Sequence, residues 1–221
     1  MGFWSAIGNF ISGVVGAISS VLSGSGLLQV LLPMLAAAIP PPLDIIAVGV
    51  ITAITASMGK KEKPEELGYQ MNEADKKPED FGSFKEYRAY LDEKYPFDQE
   101  KYDQLTPEQK QACRYIGMAG VISELKESKG FELTPESLGI IAKGAGSLNW
   151  SKEQIGSFAQ GLSTKLDGEG ISSLADIESL AKGRLNPDKY DTVLGAIEAG
   201  AKMAGVKQSS DEIIASLQEN V

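Results

Sequence analysis

Residues 27–58 read LLQVLLPMLAAAIPPPLDIIAVGVITAITASM, two apolar arms joined by Pro40, Pro41, Pro42, Leu43 and Asp44. Three successive prolines withdraw three N–H donors and cannot lie inside a helix, so they divide the stretch at a turn. Each arm is expected to be a helix. At 1.5 Å rise per residue, each would be about 20 Å long, short of the roughly 30 Å hydrocarbon core of a bilayer. The expectation is therefore a re-entrant or interfacial helical hairpin over 27–58. Its Pro turn and Asp44 would sit at the tip or at the headgroups, because an unpaired Asp deep in lipid costs at least about 2.5–3.5 kcal/mol.

Upstream, the apolar character continues. Asp44 is the only charged side chain before Lys60. Within 3–22, Phe3, Trp4, Ile7, Phe10, Ile11, Val14, Val15 and Ile18 recur at helical spacing, which predicts an amphipathic helix with these eight as its membrane-inserting face. Its other face is small rather than charged: Gly8, Ser12, Gly16, Ser20 and Gly24 follow one another every four residues, a ladder that lets a second helix approach closely. Glycines at 2, 8, 13, 16 and 24 weaken such a helix in water by up to about 1 kcal/mol each relative to alanine, so it needs an apolar medium or a partner. In composition, GFWSAIGNFISGVVGAISS (2–20) resembles viral fusion peptides and short membrane-active peptides. That resemblance implies a membrane-seeking segment and nothing about the rest of the chain.

Downstream, the composition reverses. Residues 60–80, KKEKPEELGYQMNEADKKPED, read as a solvated linker, dense in Lys, Glu and Asp and broken by Pro64 and Pro78. From 81 to 221 an acidic all-α domain of five to seven short helices is expected. Thr106 with Gln109, Ser151 with Gln154 and Ser209 with Glu212 have capping-box spacing, and Thr134-Pro135 and Asn186-Pro187 repeat the cap-then-proline device. Glycines at 130, 168, 170, 183 and 205 are plausible stops. Within Phe81–Tyr102, the positions of Tyr87, Tyr90, Leu91 and Lys94 suggest an amphipathic helix that packs on the bundle and ends before Pro96. The division is thus an apolar segment 1–59, a charged linker 60–80 and a helical domain 81–221.

Chemistry is sparse. With no His and one Cys in 221 residues, the usual zinc and copper sites and the His-dependent triads cannot be assembled. A formal net charge of -9 argues against general nucleic-acid binding, which needs clustered cations. Asp167, Glu169 and Asp176 approach the spacing of a calcium loop, but Lys165 and Ser172 occupy two of its defining positions. Cys113 reads as a buried structural thiol. No catalytic residue, metal site, cofactor or small-molecule substrate is expected, and the chain is read as non-enzymatic.

The functional expectation is a membrane-active protein. Its N-terminal helix and hairpin would insert into or lie on a lipid bilayer, as an oligomer of pore, penetration or ejection type. The alternative is a structural subunit of a virion, tail or secretion assembly with the apolar head buried between subunits. The location expected is membrane-associated, or within a virion or secretion particle before membrane contact. Residues 3–22 carry no Lys or Arg to attract anionic lipid, so binding would be insensitive to salt.

Overall fold

A computed structural model of the protein describes residues 26–60, 63–168 and 174–221. The fold is all-α, with no strand among the described residues. The helices are α1 (Gly26–Ala38), α2 (Leu43–Ser57), α3 (Pro64–Glu73), α4 (Phe84–Lys94), α5 (Gln99–Gln104), α6 (Pro107–Lys129), α7 (Pro135–Ser147), α8 (Lys152–Gly168), α9 (Ala175–Ala181), α10 (Tyr190–Ala204) and α11 (Ser210–Glu219). Short 3₁₀ turns occupy Pro78–Asp80 and Pro187–Lys189.

Helix starts follow the capping chemistry. Thr106 Oγ1 accepts from the Gln109 N–H while the Gln109 side chain accepts from the Thr106 N–H, and Ser209 with Glu212 does the same for α11. Ser151 and Gln154 exchange the equivalent pair of bonds at the start of α8. Gly130, Gly183 and Gly205 end their helices at positive φ, where a side chain would be strained. From residue 81 the described residues form eight helices rather than five to seven. One unexpected element is α5, six residues started by Asp98, whose carboxylate accepts from the Lys101 N–H.

The main hydrophobic core runs from Leu32 to Leu217, and Tyr69, Tyr102 and Cys113 form a small second cluster. At its centre lies α2, which touches α6, α7 and α8; α1 lies against α6 and α7. Leu35, Ile39, Ala47, Val50, Ile51 and Ile54 have no exposed surface. The hairpin, expected at a bilayer, here packs these side chains against the rest of the protein. The bend is present, α1 and α2 meeting at 115° across the Pro turn. The glycine, alanine and β-branched residues that suit a bilayer also suit close helix packing, and amphipathic helices elsewhere in the chain provide the partners.

The charged stretch 60–80 also differs from expectation, because α3 lies inside it. Pro64 opens this helix, Glu65 and Glu66 fill its first turn, and Leu67, Tyr69 and Met71 are buried. It packs on α6 at very close range. A Cβ on Gly68 would fall within the Cys113 carbonyl, and one on Gly117 within the Pro64 carbonyl. Glycine at both positions lets the two backbones touch. The segment 81–102 packs on the bundle as expected, with Phe84, Tyr87 and Leu91 of α4 buried.

Candidate functional site

The predicted insertion face (Phe3, Trp4, Ile7, Phe10, Ile11, Val14, Val15, Ile18) and the small-residue ladder (Gly8, Ser12, Gly16, Ser20, Gly24) lie outside the described residues. The hairpin turn lies within them and is fastened to α6 by three polar attachments, from Gln111, Arg114 and Tyr115. Arg114 Nε donates to Asp44 Oδ2 at 2.6 Å, and Gln111 Nε2 approaches the same oxygen at 3.5 Å. The Tyr115 hydroxyl donates to the Ile39 carbonyl, whose helical partner, the Leu43 N–H, bonds the Pro40 carbonyl instead. Arg114 Nη1 also reaches Glu65 Oε1 at 3.6 Å, so one guanidinium links the hairpin turn to α3.

Asp44 is 1% exposed, so this pair is a buried one. Its carboxylate sits where the hairpin turn meets α6. Arg114 was missed as its partner, yet a signal exists. Asp44 is the lone charge of a long apolar run, and Arg114 is the lone charge of Ala112–Val121. Two isolated opposite charges in apolar surroundings are each costly alone and compatible together.

The described part of the apolar head is not fully enclosed. Val30 and Met34, one turn apart on α1, are 58% and 37% exposed, and Ile45 on α2 is 45% exposed. Beside α1 opens a groove of about 660 Å³. Its floor and walls are Leu31 and Met34 of α1, Phe81, Phe84 of α4, Ile122 of α6 and Leu133. Glu127 of α6 holds one wall in place: both of its carboxylate oxygens accept from the Phe84 N–H, at 3.0 and 3.1 Å. The rim is charged, with Glu79, Lys126, Glu132 and Glu136. A concave apolar surface with a polar rim is suited to taking in apolar side chains rather than to acid–base chemistry.

Asp176, one of the three acids near calcium-loop spacing, accepts from Lys189 Nζ with both oxygens at 3.0 Å. Among the described residues no group of three or more His, Cys, Asp or Glu side chains is placed to hold a metal ion. Burial, reinforced by the charge of Glu73, pushes the Cys113 thiol up to about 12. A thiol held protonated in this way is a poor nucleophile at neutral pH.

No described helix is by itself long and apolar enough to cross a membrane; only Val30–Ala38 and Leu43–Ser57 taken together are, and they are sharply bent. Comparison of the chain with protein-family models, curated proteins and solved structures finds no match.

Proposed function

We propose that this is a non-enzymatic membrane-active protein in which residues 3–22 meet the bilayer and the helical body carries them. The observation that carries the reading is the absence of any charged side chain before Asp44, together with the helical apolar spacing of Phe3, Trp4, Ile7, Phe10 and Ile11. Burying such side chains from water is worth about 1.5–3 kcal/mol each, ample for membrane binding.

The same arithmetic assigns the hairpin a different part. Leu35, Ile39, Val50, Ile51 and Ile54 are already out of water, so moving them into lipid gains almost nothing. The move would also separate Asp44 from Arg114. The hairpin therefore acts as the anchor that joins the membrane segment to the body. The ladder Gly8, Ser12, Gly16, Ser20 and Gly24 favours association of several copies in the bilayer, which suits a pore, penetration or ejection protein, membrane-associated or carried in a virion or secretion particle.

Flotation of the full chain with neutral liposomes tests this reading. The wild-type chain should float equally at low and high salt, and a Phe10→Asp/Ile11→Asp variant should stay at the bottom. Flotation that survives the double substitution, or that disappears in high salt, would refute it. A second reading, a structural subunit whose head is buried between subunits, draws support from the exposed Val30 and Met34. It requires a discrete soluble oligomer and no flotation.

A further inference from the structure

We infer that the groove between α1, α4 and α6 is the docking site of the chain's own residues 3–22. The inference holds under either reading of the function, because an apolar segment carried through water needs a cover whether its destination is lipid or another subunit.

The tether argument is geometric. Leu31 and Met34 form one side of the groove and lie only five and eight residues beyond Gly26, where the described chain begins. Ser23-Gly24-Ser25-Gly26 precedes them, a Gly/Ser run suited to a reversal of direction. Four residues span up to about 13 Å, enough to turn the segment back alongside α1.

The chemistry agrees. The apolar part of the lining is Leu31, Met34, Phe81, Phe84, Ile122 and Leu133, and the sequence of the segment offers Phe, Trp, Ile and Val at helical spacing. A volume of about 660 Å³ takes one face of a short helix, several large side chains, and leaves the small-residue face outward. The charged rim has no counter-charges to meet on the segment, and it stays in water. Docking would thus cover the membrane-seeking side chains, and leaving the groove would expose them.

Tryptophan quenching tests the contact without lipid. Trp150→Phe leaves Trp4 as the sole indole, and the replacement ring can keep its place against Phe158. In that background Trp4 should be shielded from acrylamide, and the shielding should not change on dilution. Adding Leu31→Glu/Met34→Glu should raise Trp4 quenching to that of an unprotected indole, while Ile45→Glu, equally apolar-to-charged but outside the groove, should leave it unchanged. Met34→Glu alone, at a 37%-exposed position, asks the same question if the double variant loses its helical circular dichroism. Three results would overturn the inference: Trp4 fully quenchable from the start, quenching unmoved in a folded groove variant, or shielding that fades on dilution, which would mean that a second copy provides the cover.

Discussion

The hairpin α1–α2 and the stretch that follows it, residues 60–80, look like opposites in sequence and end in the same core. The hairpin carries one charge, Asp44, and reads as membrane. The following stretch is crowded with Lys, Glu and Asp and reads as solvated linker. Yet Ile51 and Ile54 of α2 are fully buried, and so is Leu67 of α3. Charge density describes how much of a segment meets water. It does not decide whether the segment folds, because a ten-residue helix needs only one apolar face. In α3 Leu67, Gly68 and Met71, with Tyr69 and Gln70 beside them, are buried, framed by Glu65, Glu66 and Glu73. In α2 almost the whole circumference is apolar, and the helix packs against α6, α7 and α8 while Ile45 stays exposed.

The largest expected effect tests whether α2 is protein core. Ile51→Asp would bury an unpaired carboxylate and should destabilise the chain by about 4 kcal/mol or more, enough to unfold it. Ile45→Asp, on the same helix at a 45%-exposed position, should stay within about 0.5 kcal/mol. Equal effects from the two, measured by urea denaturation, would mean that α2 is not enclosed on one side and open on the other.

Next comes the link between the two regions. Asp44→Ala leaves the Arg114 guanidinium with only the half-exposed Glu65 as an acidic partner and should cost about 3 kcal/mol. Replacing both residues with apolar ones should restore much of that loss, and a double-mutant cycle reads the coupling. A loss under 0.5 kcal/mol would remove the pair as the fastening of the turn.

The smallest effect concerns the charged stretch. Gly68→Ala pushes a methyl into the Cys113 carbonyl, a backbone atom that cannot swing away, so the two helices must separate. About 1–3 kcal/mol is expected from such overpacking. A neutral result would mean that α3 rests loosely on α6, nearer to the linker that its composition suggests.

The helix starts were legible because capping is local chemistry: a Thr or Ser three residues before a Gln or Glu forms its bonds whatever the rest of the chain does. The all-α class followed from the same signals. The hairpin's surroundings were not legible in its own residues, since an apolar helix has the same composition in lipid and in protein. What distinguished them lay elsewhere, in the lone Arg114 of α6 opposite the lone Asp44. The helix α3 was hidden by averaging over twenty-one residues a pattern that spans ten. The groove could not be read at all, because Met34, Phe84, Ile122 and Leu133 come from separate parts of the chain.

The central claim is that the apolar head divides near Gly26, with protein core behind that point and the membrane-contacting segment ahead of it. Removing residues 1–25 tests both halves at once. The shortened chain should keep a single cooperative thermal transition close to that of the full chain and should no longer float with neutral liposomes. A shortened chain that still floats, or that has lost its cooperative transition, would contradict the division.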